Sequence, residues 1–254
     1  MELRERLARF KGAPLVIGFS GYTDAASVAS FSIGYLIRRT RAERIGELRG
    51  GYYVMASARP ITVIREGLVE EVKYPSIEVY ASSEPKLLMM RGEEPNVNWE
   101  GYLEEVMRLI DEAEVSMIYT LGGMIDYLDS PKVSAVVNRP ELRRVVVEAG
   151  VDLIDYEGPC SVYTALLYRC RGRGVGAISL WGHVPFTVYS TLTQLRSPDL
   201  KTSYLTLEAF KRLSGVDVDL DELRGEAERF MEFVERVRGG REGQPSKFYN
   251  SYIY

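Results

Sequence analysis

Short apolar runs rich in β-branched residues recur along the chain, separated by stretches with helical periodicity. Residues 14–19 (PLVIGF), 115–121 (VSMIYTL) and 176–180 (GAISL) have the composition of strands that are buried on both faces. The first run turns through glycine into an amphipathic helix over 25–37. Because buried strands alternate with helices, the pattern predicts a mostly parallel sheet that helices cover on both sides.

Between residues 50 and 90 the pattern changes to the alternation that is typical of half-buried strands. β-branched and aromatic residues predict strands over 52–55, 61–64, 68–72, 77–80 and 87–90. The sequence Arg65-Glu66-Gly67 predicts a hairpin turn. These segments add antiparallel strands, so the expected fold class is α/β, a three-layer α/β/α sandwich with a mixed, mostly parallel sheet.

Helices are expected over most of the remaining chain. The pattern predicts helices over 98–110, 140–148, 160–169, 202–213 and 219–237, and a short strand over 151–154. Asn98 is the expected cap of its helix, and Thr23 or Asp24 is the expected cap of the first one. Residues 126–138 are polar and lack a period, which predicts a long loop or a small hairpin. Since no linker divides the chain, we expect one domain over 1–238 and a tail over 239–254.

Composition and charge narrow the classes of partner. The chain has 254 residues with a net charge of −4, so no global attraction to nucleic acid or anionic lipid is expected. No apolar run approaches the roughly 18 residues that a membrane span requires. The N-terminus lacks the apolar segment of an export signal, which favours a cytoplasmic protein. Arginine outnumbers lysine and amide side chains are few, as in many thermophile proteins.

The cysteine and histidine content argues against a bound metal. Cys160 and Cys170 are expected on one helix, where ten residues place them about 15 Å apart, too far for a disulfide. Both are expected to be small buried side chains. His183 is the only histidine, so no zinc site of the His/Cys type can form within one chain. No metal or cofactor is expected.

The carboxyl edge of the predicted sheet is the natural place for a ligand. Six residues follow predicted strand ends there: Ser20, Gly21, Gly122, Gly123, Glu157 and His183. The turn at Ser20 could present N–H groups to an anion or serve only as a turn, because it matches no nucleotide-binding fingerprint. His183 could act in acid–base chemistry or as a hydrogen-bonding strut. No nucleophile elbow is present, so no catalytic residue is assigned.

The end of the chain is rich in aromatic residues. A flexible, polar stretch over 241–247 precedes the candidate partner-binding residues Phe248, Tyr249, Tyr252, Ile253 and Tyr254. Leaving these rings in water is unfavourable, by roughly 25 cal/mol for each Å² that could be buried. The tail is therefore expected to pack on a sister subunit or to insert into a separate protein.

Several motifs together resemble the PAC2 family, the archaeal and bacterial relatives of the eukaryotic proteasome assembly chaperone 2, sometimes labelled ATP-grasp superfamily proteins. The matching segments are 15–21, 58–60, 74–76, 92–99, 120–123, 156–159 and 179–185, in the family's order. Most specific are E-P-N-x-x-W at 94–99 and S-L-W-x-H-V-P at 179–185. The resemblance implies a nucleoside phosphorylase/hydrolase-like fold, homo-oligomers from trimers upward and, in some archaeal members, binding to proteasome α-subunits.

Some of those archaeal members bind through a tail that ends in a hydrophobic residue, tyrosine and any residue. This chain departs from the pattern, because Ile253 stands where the tyrosine would be. The segment after Gly123 also lacks the basic and histidine residues often found there. The expected function is a homo-oligomeric, protein-binding scaffold of the proteasome-assembly-chaperone kind. The alternative is a small-molecule or nucleotide-binding enzyme with its site at the carboxyl edge of the sheet.

Overall fold

The structure is a computed structural model, which describes residues 3–54 and 59–238. The helices are α1 (Leu3–Leu7), α2 (Val28–Arg39), α3 (Trp99–Glu112), α4 (Glu141–Glu148), α5 (Val162–Arg171), α6 (Phe186–Leu195), α7 (Leu200–Ser214) and α8 (Asp221–Arg238). The strands are β1 (Leu15–Ser20), β2 (Glu43–Leu48), β3 (Ile61–Arg65), β4 (Leu68–Lys73), β5 (Ile77–Ser83), β6 (Lys86–Glu93), β7 (Met117–Asp126), β8 (Lys132–Val137), β9 (Asp152–Leu153) and β10 (Gly176–Pro185).

Eight of the described strands form one mixed sheet in the order β2-β5-β6-β1-β7-β10-β8-β9. The central strands β6, β1, β7 and β10 run parallel to one another, with Leu15 opposite both Leu88 and Ile118. Strands β2, β5 and β8 each run antiparallel to a neighbour. The carboxyl ends of the central strands therefore lie along a single edge of the sheet.

Helices cover both faces of this sheet. Alternate side chains of β1 therefore lie in two different hydrophobic cores. Leu15, Ile17 and Phe19 lie in one core with residues of α3 and α5. Val16 lies in the other core with residues of α2, α4, α7 and α8. A side chain at Gly18 would come within 2.7 Å of the Ile33 Cβ, so glycine allows α2 to pack directly on β1. The three-layer α/β/α prediction is confirmed.

The predicted cap at Asn98 is confirmed, whereas the N-cap position of α2 is Ser27 and not Thr23 or Asp24, because a 3₁₀ turn at Ala25–Ser27 precedes the helix. The Asn98 side chain accepts a hydrogen bond from the Gly101 N–H, at 3.3 Å. The Asp24 carboxylate accepts from the Ala29 and Ser30 N–H groups in the first turn of α2, at 2.7 and 3.1 Å. The predicted turn at Glu66 and Gly67 joins β3 to β4, and both residues have positive φ.

Several predicted elements are wrong. Strands β7 and β10 do not end at Gly123 and Leu180 but continue to Asp126 and Pro185. The segment 126–138, predicted as a long loop or small hairpin, contains strand β8, which pairs with β10. Tyr52 to Val54 form no strand, because the buried Tyr52 bonds its carbonyl oxygen to the amides of Asn96 and Val97 instead.

The cysteines also differ from the expectation. Cys170 is buried within α5, as predicted. Cys160 is exposed and precedes the helix, which starts only at Val162 with Ser161 as its cap. The cause is the hydrogen bond from the Thr164 N–H to the Ser161 hydroxyl, which fixes the first helical turn after Cys160.

Candidate functional site

The turn that follows β1 is held by a buried carboxylate. Glu94 comes directly after β6 and is only 8% exposed. One of its oxygens, Oε2, accepts from the Thr23 N–H at 3.0 Å. The other, Oε1, accepts from the Val162 N–H at the start of α5, at 3.2 Å. Glu94 therefore links three elements at the carboxyl edge of the sheet.

This arrangement fills the position where an external anion would bind. A strand-exit turn and a helix N-terminus supply the N–H donors that phosphates and carboxylates use in many α/β proteins. Here the protein's own carboxylate takes a donor from each, at Thr23 and Val162. Gly21 has φ of 120°, and a side chain there would come within 3.3 Å of the Glu94 Cβ. The turn is thus shaped around Glu94.

A second carboxylate, Asp24, lies on the other side of the turn. Burial raises the pKa of Asp24 to about 6, although hydrogen bonds from Ser30 and Ala29 act in the opposite direction. Asp24 also forms an isolated parallel bridge with Gly123. A side chain at Gly123 would come within 2.7 Å of the Ala25 carbonyl oxygen, so glycine lets β7 pass close under the turn.

His183 bridges a serine and an aspartate. Its Nδ1 lies 2.8 Å from Asp126 Oδ2, and its Nε2 lies 2.7 Å from Ser134 Oγ. With the Asp126 carboxylate as acceptor, Nδ1 of a neutral ring carries the proton and Nε2 accepts from the Ser134 hydroxyl. The hydrogen bond with His183 lowers the pKa of the Asp126 carboxyl. The three side chains join β7, β8 and β10.

The order of groups is that of a Ser-His-Asp triad, but the serine is closed to substrate. Ser134 is 0% exposed and His183 is 3% exposed. A nucleophile must reach a substrate carbonyl, and a serine with no exposed surface cannot. In this structure the three residues therefore act as a strut between strands, the structural alternative considered for His183.

The six predicted edge residues do not form one site. Ser20, Gly21 and Gly123 meet at the turn after β1, where the Gly123 N–H bonds to the Thr23 carbonyl oxygen at 2.8 Å. Gly122 lies inside β7, where a side chain would collide with Trp181. His183 lies inside β10, and Glu157 is exposed between β9 and α5. Gly122, Gly123 and His183 were predicted to follow the ends of their strands. They lie within β7 and β10 instead, because these strands extend beyond their apolar runs.

Large apolar side chains are exposed beyond the same edge. Tyr22, Ile125, Tyr127 and Phe186 follow or end the strands β1, β7 and β10, and Tyr127 is 86% exposed. The rings of Tyr127 and Phe186 stack with their centroids 5.4 Å apart. We call these four residues the edge surface. Its side chains are aromatic or aliphatic, whereas Glu94 and Asp24 are carboxylates.

The remaining site predictions concern the tail, metals and membranes. Phe248, Tyr249, Tyr252, Ile253 and Tyr254 lie outside the described residues. Among residues 3–54 and 59–238, no group of three His, Cys, Asp or Glu side chains is placed to hold a metal ion. None of the helices in that part of the chain has the length and apolar character that crossing a bilayer requires.

Comparison with known proteins identifies relatives of this architecture. A sequence model of the PAC2 family matches residues 18–238. A proteasome-assembly chaperone homologue from Mycobacterium tuberculosis superposes with a TM-score of 0.78 at 24% identity, over 92% of this chain and 97% of that one. A PAC2 family protein from Streptomyces avermitilis gives 0.76 at 25% identity, over 89% and 95% of the two chains.

A third similar structure comes from an archaeon. Pyrococcus furiosus PbaB, an archaeal proteasome activator, superposes with a TM-score of 0.68 at 19% identity, over 90% of this chain and 94% of that one. None of the curated proteins matches this chain.

Proposed function

This chain belongs to the PAC2 family, and from that membership we propose that it is a homo-oligomeric scaffold that binds another protein, in the manner of a proteasome-assembly chaperone. Trimers or larger assemblies, located in the cytoplasm, are part of the proposal. Its action requires no catalytic residue.

One observation carries the proposal. At the carboxyl edge of the sheet, backbone N–H groups that could bind an anion already bond to a carboxylate of the protein, and large apolar side chains are exposed to solvent. Glu94 accepts from Thr23 and Val162, the amides that an external anion would need. The edge surface outside it exposes Tyr127 and Phe186 to solvent. Exposed aromatic rings at an edge where these two amides are already engaged suit a protein partner better than an anion bound by those amides.

Proteasome α-subunits are the partner that we propose. Similar structures include a proteasome-assembly chaperone homologue and a proteasome activator, which supports a partner of this kind. The residues Phe248, Tyr249, Tyr252, Ile253 and Tyr254 supply aromatic and apolar side chains that we propose as anchors for such a contact. Since Ile253 replaces the tyrosine of the known tail pattern, we propose that the neighbouring tyrosines provide the main anchors.

Sedimentation velocity tests the partner and the tail together. The full chain and a chain ending at Lys247 are each mixed with purified proteasome α-subunits of the same organism. We expect the full chain to co-sediment with them and the shortened chain to bind roughly tenfold more weakly or worse, because an aromatic anchor contributes about 2 kcal/mol or more. Equal binding by both chains would show that the tail does not contribute to binding. Binding by neither chain would contradict the proposed partner.

The alternative, a small-molecule or nucleotide-binding enzyme, has less support. At the turn after β1 that such a site was predicted to use, the Thr23 N–H is already bonded to Glu94. The only histidine is buried and engaged by Ser134 and Asp126. Likeness of fold to nucleoside phosphorylases is an association and assigns no activity.

A further inference from the structure

Strands β3 and β4 form a two-stranded sheet that is separate from the main one. Its side chains are unusually apolar for a surface hairpin: Ile61 is 66% exposed and Leu68 is 69% exposed. Ile64, Val69 and Val72 are also exposed, and Ile64 lies opposite Val69 across the hairpin. Exposed apolar area of this extent in one segment indicates a surface that another chain covers.

A hairpin of two strands is marginally stable in water, and three or more strands with an apolar face are needed for independent stability. Within residues 3–54 and 59–238, no further strand pairs with the outer edge of β3 or of β4. Both edges therefore present backbone donors and acceptors to another chain. The two edges differ in the side chains that accompany them.

The edge of β4 is blocked against self-pairing. Antiparallel pairing of two β4 strands about their centre would place Glu70 of each copy opposite Glu71 of the other, and like charges directly opposite destabilise a sheet. The ion pairs from Arg65 to Glu70 and from Lys73 to Glu71, at 2.8 and 3.3 Å, lie within one hairpin and keep these charges at the β4 side.

At the edge of β3, self-pairing brings no like charges together. Antiparallel pairing about its centre places Val63 opposite Val63 of the second copy, Thr62 opposite Ile64, and Ile61 opposite Arg65. No like charges meet in this register, and three of the five residues are β-branched apolar side chains. The strand is thus complementary to itself.

We propose that two copies of this chain pair through β3, antiparallel and about a two-fold axis at Val63. The product is a four-stranded sheet in the order β4-β3-β3-β4, which exceeds the strand number that a stable sheet requires. This proposal rests on the self-association in the proposed function and names one of the surfaces involved, because a two-fold contact joins only two copies and larger assemblies need a second surface. The contact is isologous, so one two-fold pairing uses the β3 edge of each copy completely.

Charge substitution at the axis tests the pairing. In the full chain, Val63→Lys or Val63→Glu places two like charges opposite each other, and we expect each variant to weaken self-association roughly tenfold or more. Light scattering after size exclusion should show an assembly of at most half the wild-type mass at equal concentration. An equimolar mixture of the two variants should restore the wild-type mass, because lysine then faces glutamate. Val69→Lys introduces the same charge at an exposed position of β4, outside the proposed contact, and should leave the mass unchanged.

Amide exchange provides a second measurement in case a variant folds poorly. Exchange at residues 61–65 should slow as wild-type protein is concentrated, and should not slow for Val63→Lys. Pairing through β3 would be overturned if the mixture of the two Val63 variants did not recover the wild-type mass. It would also be overturned if Val69→Lys reduced the mass as much as Val63→Lys. A wild-type chain that stays monomeric would overturn self-association as a whole, whereas an assembly insensitive to position 63 would overturn only this interface.

Discussion

Asp24 and Glu94 are two carboxylates on either side of one turn, and their surroundings give them different tasks. Glu94 accepts from amides of two separate segments, Thr23 and Val162. Asp24 accepts from the start of its own helix, where the helix dipole favours negative charge. Burial nevertheless dominates at Asp24, since its pKa is raised. Burial therefore makes the charged form of Asp24 less favourable in the folded chain than in the unfolded chain.

The raised pKa of Asp24 predicts a dependence of stability on pH. The folded-state pKa is about 6, whereas an unfolded Asp titrates near 3.9. Between pH of about 4 and 6 the folded state holds a proton that the unfolded state has lost, so this group's contribution to stability falls as pH rises. We expect the difference in unfolding free energy between wild type and Asp24→Asn to fall over that range and to stay level above it.

Urea unfolding at pH 4, 5, 6 and 7 measures this difference. Asp129→Asn, on an exposed loop residue, controls for the loss of one negative charge. A difference that is constant over the range, or that grows with pH, would show that Asp24 is not destabilised by burial.

Residue roles at the site could be predicted only in part. His183 stands out because it is the only histidine, whereas its partner Ser134 lies in 132–137 (KVSAVV), a short β-branched run that the polar residues before it obscure. Glu94 is the first residue of the E-P-N-x-x-W motif, but nothing in the sequence indicates which groups its carboxylate binds. Its role depends on Thr23 and Val162, which lie 71 and 68 residues away along the chain.

At the scale of elements, Glu94 fixes the position of α5 relative to β1. Glu94→Gln replaces one acceptor oxygen by an N–H₂ group, which leaves the Thr23 or the Val162 N–H without a buried acceptor. Because an unsatisfied buried donor costs about 1–3 kcal/mol, we expect the unfolding free energy to fall by roughly 2 kcal/mol. Hydrogen exchange at Thr23 and Val162 should accelerate.

Glu157→Gln makes the same chemical change at an exposed position and should alter stability by about 0.5 kcal/mol or less. Urea denaturation compares the two variants with the wild type. Equal stability of Glu94→Gln and Glu157→Gln would mean that Glu94 does not hold the turn.

Element prediction succeeded where burial dominates the sequence pattern. Strands β1, β7 and β10 are covered on both faces and are correspondingly apolar. Their continuous apolar runs allow these strands to be predicted from the sequence. Strand β2 (ERIGEL) lies at the sheet edge and is largely charged, so it gave no signal. Helix α6 (FTVYSTLTQL) is rich in β-branched and aromatic residues, whose helix propensity is low, and packing against α8 overrides that preference.

At the scale of the whole molecule, the carboxyl edge of the sheet is the surface that we propose for protein binding, in place of a small-molecule site. The alternation of apolar strands and helices predicts the layered fold, and the order of motifs predicts the family. Neither predicts that Glu94 occupies the anion position, since that depends on distances between segments that meet only after folding. The edge surface and the exposed edge of β3 are also not predicted from the sequence, because they depend on which segments meet after folding.

Isothermal titration calorimetry of the full chain tests this account most directly, because one method measures both kinds of ligand. The titrants are purified proteasome α-subunits in one series and inorganic phosphate with a nucleoside in the other. The account predicts saturable heat with the α-subunits and none with phosphate and nucleoside up to millimolar concentration. Saturable heat with phosphate and nucleoside, together with none from the α-subunits, would contradict it.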